Sequence, residues 1–417
     1  MRVCLIENRW RIEEFRALAS ALLELGHDVL RLRRDVDLAT PDAVAALSRV
    51  PFDLVLTSDW FGSFGFAPLA GFVPVGRPPI VDIAFGSLFM EVWNIARAQA
   101  APPDDYLRDG NFWLAAPCRR EAGRLRDIGL TRVVHLPFGT ADGYWVDPAV
   151  GLDAYGWLRP ATHRQMKVSM AELLANTLQG MADGGRDLVH DGVVYLGNPG
   201  QDHEAVFTPA LQDFAAATPD IADLDVAAMH ARIDAFLDGR PDTAGGDAAT
   251  LLWRGRVADA LIHDAKGRKR RVEVARLHRH LGQRLMLFGD FWPKVGIPAR
   301  PEEAKLRGFR YALSAVSIDF GSLSFDTALY NRPREVSECG GLLVQARCHD
   351  SAEIWGEAGP AMDFTDIDGM LDRVDDLLAA PPQVRAELAR VQARRLGTGY
   401  AYARLLPALF ATLGVGR

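Results

Sequence analysis

A chain of 417 residues is too long for one ordinary hydrophobic core, so two domains are expected. Hydrophobic residues make up 49% and charged residues 24%, the balance of a folded globular chain and not of a disordered one. A formal net charge of -7 removes any general attraction to nucleic acid or anionic lipid, while leaving room for local phosphate-binding patches.

The opening residues MRVCLIE read as a strand, with no basic segment leading into an apolar run and cleavage site. No window approaches the ~18 apolar residues of a membrane span, so any membrane contact is expected to be peripheral. Cys4, Cys118, Cys339 and Cys348 lack metal-ligand spacing and suit reduced thiols, which makes a cytoplasmic location the expectation.

Strand and helix signals then alternate. Val3 to Ile6 is an apolar run, Ile12 to Leu25 repeats apolar residues at helical spacing, Gly26 ends it, and His27 to Leu32 gives a second strand. A helix over Asp42 to Leu47 precedes strands at Asp53 to Leu56 and Ile80 to Ala84. Helix, strand, helix and strand follow at Glu91 to Ala100, Phe112 to Ala115, Arg119 to Ile128 and Val133 to Leu136. This alternation predicts a parallel, doubly wound sheet. Glu7-Asn8-Arg9-Trp10 contains no glycine, so the dinucleotide fingerprint is missing from the first turn. Glycines cluster instead at Phe61-Gly62-Ser63-Phe64-Gly65-Phe66, suited to a loop at the carboxyl edge of the sheet.

Met166 to Met181 is amphipathic, Val193 to Leu196 with Gly197 reads as a strand and turn, and Pro209 to Leu261 is mostly helical. Lys266-Gly267-Arg268-Lys269-Arg270-Arg271 precedes a helix over Val272 to Leu281 and reads for the most part as a solvated helix start, with a diphosphate clamp as the functional alternative. Strands follow at Arg284 to Phe288 and around Ala315 to Ile318. In YNRPREVSECGGLLV, Asn331 suits a helix cap, Pro333 its first turn, Gly340 its end, and Leu342 to Val344 a buried strand.

That last stretch resembles the C-terminal domain of the CgeB-like (spore maturation protein-like) group of GT-B glycosyltransferases. Their run R-x-F-E-x-x-A-C-G-G is matched in register by Arg332, Glu335, Cys339, Gly340 and Gly341, while Arg334 replaces the aromatic and Glu338 the small residue. Leu287-Phe288-Gly289-Asp290-Phe291-Trp292-Pro293-Lys294 resembles the family's L-Y-G-D-x-W-x-K, and Leu136-Pro137-Phe138-Gly139-Thr140-Ala141-Asp142 resembles L-P-F-x-x-D. Glu353-Ile354-Trp355, Ala361 to Phe364 and two closing helices continue the likeness.

The resemblance implies an α/β GT-B fold, two Rossmann-like doubly wound domains facing a cleft, with helical insertions. The expected division is an acceptor domain over 1–147, a helical insertion or linker over 148–191, and a nucleotide-sugar domain over 192–397 with a helical insertion at about 209–261. A C-terminal helix over 398–417 would return to the first domain. The implied activity is transfer of a sugar from a nucleotide sugar to a glycan, lipid-linked or protein acceptor, with no metal or other cofactor and no nucleic acid. The alternatives are a GT-B protein that binds a glycan or partner without turnover, and a sugar-nucleotide epimerase.

Residue by residue, the resemblance places Glu335 on the donor ribose, with Arg332, Gly340, Gly341 and Lys294 in the donor region and Gly197 in the turn beside the diphosphate. Ser322 lies in a loop able to offer amides and hydroxyls to phosphate. Many retaining relatives carry a second glutamate upstream, with seven residues between the two; Thr327 stands there, and Asp326 is one position away. An inverting enzyme needs a general base near the acceptor, for which Asp59 is the first candidate. Glu7, Asp82 and Glu91 hold similar strand-edge positions, and Trp60 is suited either to stacking on an acceptor sugar or to the core beneath its loop. Each carboxylate has an ordinary reading too, as a cap, turn or ion-pair residue. His278 and His280 lie two apart on a helix, on different faces, and zinc is not expected.

Overall fold

The computed structural model describes all residues except 9–11, 59–71, 85–110, 128, 142, 146–153, 161–166, 182–187, 201–204, 324–330, 357–358 and 416–417. The chain divides into two compact units, Met1–Met170 with Gly397–Arg417, and Ala171–Leu396. Each is an α/β unit built on a doubly wound sheet.

The first unit carries β1 (Arg2–Glu7), β2 (Asp28–Arg33), β3 (Leu54–Thr57), β4 (Ile80–Ile83), β5 (Phe112–Ala116), β6 (Val133–His135), β7 (Tyr144–Trp145), β8 (Gly156–Leu158) and β9 (Lys167–Val168). Seven of these form one sheet in the order β6-β5-β4-β3-β1-β2-β8. Val3, Cys4, Leu5 and Ile6 are all fully buried, as a strand covered on both faces requires. β1 to β6 pair in parallel, and the strand order reverses between β1 and β3.

β8 joins antiparallel to β2, so part of the stretch expected to be a helical linker is instead the edge of the first sheet. Only three residues pair there and only Leu158 is buried, too short a pattern for periodicity to reveal. Trp157 stacks on Phe52, ring centroids 6.2 Å apart. The Tyr402–Leu413 helix belongs to this same unit. It is tied by Thr140, whose amide donates to the Tyr400 carbonyl at 2.8 Å and whose carbonyl accepts from the Tyr402 amide at 2.9 Å. Gly139 permits that approach, because a Cβ there would lie 2.7 Å from the Tyr402 ring.

The second unit carries β10 (His190–Leu196), β11 (Leu285–Phe288), β12 (Ser314–Asp319), β13 (Leu343–Ala346) and β14 (Asp363–Phe364), all parallel, in the order β11-β10-β12-β13-β14. Here the order reverses between β10 and β12. Between β10 and β11 runs one helix, Ala248–Leu281, of 34 residues and about 51 Å. The Asp247 side chain caps it, accepting from the amides of Ala249 and Thr250 at 3.1 and 3.0 Å.

The continuity of this helix corrects the expected break before Val272. Its first half packs with Phe214, Met229, Ile233 and Leu237 in a small helical core. Its last turns place Val274, Leu277 and Leu281 on the sheet. Lys266 to Arg271 lie between these two cores, so the basic run is not a helix start: Lys266 and Arg270 are only 8% and 6% exposed.

Candidate functional site

The reversal point of the second sheet is built first from the turn after β10. The Gly197 amide donates to the Phe288 carbonyl at 3.1 Å, and Trp292 Nε1 donates to the Gly197 carbonyl at 2.5 Å. Gly289, at φ +144, packs against the same turn; a Cβ there would lie 2.2 Å from the Gly197 carbonyl oxygen. Gly197 is itself hemmed by side-chain atoms. A Cβ on it would stand 2.7 Å from the Tyr195 hydroxyl and 3.1 Å from Arg332 Nη2.

Two arginines meet this point from different elements. Arg270, on the long helix, donates through Nη1 to the Asn198 carbonyl at 3.0 Å and through Nη2 to the Gly321 carbonyl. It thus links the turns after β10 and β12. Its hydrogen bonds go to carbonyls and not to a carboxylate, and its buried Nε has no partner. Gly267, one turn earlier, lets the helix come close, since a Cβ there would lie 3.2 Å from the Pro199 carbonyl oxygen. Arg271 donates to that same carbonyl at 3.4 Å.

Arg332, on the Asn331–Glu338 helix, pairs with Asp319 at the end of β12, and its guanidinium carbon lies 5.1 Å from the centroid of the Tyr195 ring. Burial, the largest single influence, works against the Arg332 charge, but Asp319, Tyr311 and Tyr195 together outweigh it and hold the proton well above the ordinary arginine range. Arg332 Nε is also buried without a partner. Burial raises the Tyr195 hydroxyl, while Arg270 and Arg332 together pull it back. Both cations therefore act on one small volume beside Gly197.

In a parallel sheet the connecting helices run against the strands, so the Asn331–Glu338 helix has its first turn at the carboxyl edge and its last at the amino edge. Arg332 thereby stands at the carboxyl edge, beside the reversal point. Glu335, one turn on, has Arg307 Nη1 at 3.7 Å, and Arg307 also donates from Nε to Glu302 at 2.7 Å. Burial opposes the Arg307 charge, but Glu335 and then Glu302 outweigh it and raise its pKa. Tyr311 joins the two halves: Arg332 hydrogen-bonds it, and burial first, then the Glu335 charge, raise its hydroxyl.

Gly340 and Gly341 lie at the other edge, which corrects their placement in the donor region. Gly340, at φ +78, ends the helix, with its amide on the Ser337 carbonyl at 3.1 Å. Gly341 sits against the Tyr311 carbonyl oxygen, 2.5 Å from where a Cβ would be. Both line a groove with Ser314, Leu342 and Arg385 at the amino ends of the strands. Lys294 is not brought to the arginines either; it is exposed in the Pro293–Val295 turn with Nζ 4.5 Å from the Phe291 ring centroid. Ser322 is buried three residues past Asp319, and Asp326 lies outside the described residues.

In the first unit, Asp82 is buried near the carboxyl end of β4, 1% exposed; Asp59, Trp60 and Glu91 lie outside the described residues. The reversal point there carries Glu7, whose carboxylate accepts from Arg31 Nε at 2.9 Å and from the Tyr155 hydroxyl. Burial raises the Glu7 pKa, with Arg31 and then Tyr155 lowering it in part. Asn8 Nδ2 donates to Ser58 Oγ at 3.0 Å. Among the described residues no group of three His, Cys, Asp or Glu is placed to hold a metal ion, and no helix is long and apolar enough to cross a membrane.

The fold and this site define an α/β protein with two doubly wound sheets, one of which gathers a buried and a half-buried arginine at its reversal point. Among solved structures, the chain is similar over 99% of its length to AviGT4, a glycosyltransferase involved in avilamycin A biosynthesis, with 12% identity, 97% of that chain covered and a TM-score of 0.47. It is similar also to an α,α-trehalose-phosphate synthase (UDP-forming) from Burkholderia vietnamiensis, with 15% identity, 99% of both chains covered and a TM-score of 0.43. Anabaena HepE in complex with UDP-glucose gives 12% identity, 99% of both chains and a TM-score of 0.45. No family model and no curated protein matches the chain. At these identities and superpositions the likeness carries no residue-level assignment, so the chemistry must come from the site's own side chains.

Proposed function

We propose that the chain is a glycosyltransferase of the GT-B type that moves a sugar from a nucleotide sugar to a glycan, lipid-linked or protein acceptor. The observation that carries this reading is the convergence of Arg270 and Arg332 beside Gly197. Each presents a buried Nε without a partner, and Arg270 gives its hydrogen bonds to carbonyls, with the Glu273 carboxylate acting on its charge only through space. A cationic, desolvated cradle at a sheet reversal point suits a diphosphate.

Breaking the sugar–phosphate bond leaves negative charge on the diphosphate while the sugar carbon becomes cation-like. Arg270 and Arg332 would hold that charge without a metal. Glu335, adjoining Arg332 on the same helix face, would accept a ribose hydroxyl, with Arg307 fixing the carboxylate. Ser322 would serve the phosphate side. Asp59 remains the candidate base, with Asp82 and Glu91 toward the acceptor. A cytoplasmic location belongs to the same reading.

The test is thermal stabilisation by UDP, GDP, ADP, TDP and CMP, with Arg270→Ala and Glu335→Ala alongside. A ligand at 100 times its Kd adds about 2.7 kcal/mol to a native state that alone binds it. One nucleoside diphosphate is expected to shift the wild type, with the shift lost in Arg270→Ala and reduced in Glu335→Ala. A folded wild type that responds to none of them ends the donor-site reading.

A further inference from the structure

β12, β13 and β14 carry one polar row across them. Asp319, Gln345 and Asp363 stand in register on adjacent parallel strands, so their side chains share one face and neighbouring strands run about 4.8 Å apart. The alternate residues Ile318, Val344 and Phe364 fill the core on the other face. Both carboxylates are engaged. Asp319 takes Arg332 and accepts from the Gly321 amide at 3.2 Å. Asp363 takes Arg347 at 2.9 and 3.2 Å and the Ser351 hydroxyl at 3.3 Å.

Gln345, between them, is 1% exposed, and neither its amide nitrogen nor its amide oxygen has a hydrogen-bond partner. A side chain with two donors and an acceptor, buried with none in use, destabilises the state in which it is so buried. The row also adjoins a contested group, because Arg332 is shared between Asp319 and the volume beside Gly197.

Resting on the donor-site reading above, we propose that Gln345 is a positioning residue for anion binding: when a diphosphate draws Arg332 away from Asp319, the Gln345 amide takes its place on the carboxylate. A buried carboxylate stripped of its arginine is strongly unfavourable unless another donor reaches it. The next strand supplies that donor in register, and already desolvated. Arg332 is then free to bridge phosphate oxygens without leaving Asp319 unanswered.

The test uses the full chain and inorganic pyrophosphate as the probe, by calorimetry and thermal melting, on wild type, Arg332→Ala, Gln345→Leu and Gln345→Met. Arg332→Ala is expected to lose binding. Both Gln345 variants are expected to melt, without ligand, at or above the wild-type temperature, because they remove an unanswered polar group, and to bind pyrophosphate about tenfold more weakly. The methionine variant, close to glutamine in shape, separates hydrogen bonding from packing. If both variants keep wild-type affinity, or melt lower with unchanged affinity, Gln345 is structural and the exchange is overturned while the donor site stands. If folded wild type does not bind pyrophosphate, the donor-site reading fails and the exchange with it.

Discussion

Arg270 donates to the backbone carbonyl of Asn198 at 3.0 Å, and its other terminal nitrogen reaches the carbonyl of Gly321. One buried side chain therefore sets the spacing of the two turns that flank the reversal point of the second sheet. Arg270→Ala leaves two carbonyls unanswered and is expected to cost about 1–3 kcal/mol in urea unfolding. Arg270→Lys keeps the charge but not the planar fork, so it is expected to recover stability in part and pyrophosphate affinity very little. An alanine variant that folds and binds pyrophosphate as the wild type does would remove Arg270 from the site.

Gly197 offers a sharper probe, because the atoms a Cβ would meet are the ends of side chains: the Tyr195 hydroxyl at 2.7 Å and Arg332 Nη2 at 3.1 Å. Arg332 can give way, whereas the Tyr195 ring is fully buried against Trp292 and Phe320 and can do so only at a cost to the fold. Gly197→Ala is therefore expected to melt below the wild type and, while folded, to bind nucleoside diphosphate at least about tenfold more weakly, since a displaced Arg332 loses a charge-assisted hydrogen bond. Equal affinity in both proteins would place the anion elsewhere.

The strands were legible because burial on both faces leaves continuous apolar runs, as in Val3 to Ile6 and Leu342 to Val344. The long helix was not, because Gly267 and five basic residues resemble a break. Their reason is tertiary: Gly267 admits the Pro199 carbonyl, and Arg270 is turned inward to the two turns. Arg332 and Gly197, both expected in the donor region from the resemblance, lie beside each other at the reversal point, a proximity that neither local motif contains. Gly340 and Gly341 could be read equally as a helix end with tight packing or as a ligand approach, since the direction of their helix, and hence the sheet edge they occupy, depends on pairing that a local motif does not contain. Gln345 gave no signal, being one polar residue at the end of an apolar strand.

The first unit makes a pH prediction through Glu7. Burial raises its carboxyl above the ordinary range, and Arg31 and Tyr155 offset this only in part. A folded-state pKa above the unfolded one, about 4.3 for glutamate, means that the folded protein binds the proton more tightly. The Glu7 contribution to stability is then complete below about pH 4 and fades as pH rises through the raised value. The difference in unfolding free energy between wild type and Glu7→Gln is expected to move against the wild type as pH goes from about 4 to 7, measured by urea titration. Parallel curves across that range would mean Glu7 does not titrate differently on folding.

Gly341 and Gly340 separate fold from site at the amino edge. At Gly341 a Cβ would stand 2.5 Å from the Tyr311 carbonyl oxygen and 3.0 Å from Val336, the first of which is backbone and cannot swing aside. Gly341→Ala is therefore expected to lose about 1–3 kcal/mol. Gly340, at φ +78, has open space around it, with the Ala171 side chain 3.9 Å from the Cβ position, so Gly340→Ala is expected to lose about 1 kcal/mol through backbone strain alone. Because neither residue approaches Arg270 or Arg332, nucleoside diphosphate affinity of the folded variants is expected to match the wild type within about twofold, a difference of roughly 0.4 kcal/mol. A tenfold loss of affinity in Gly340→Ala, with its melting temperature little changed, would instead return the helix end to the donor site.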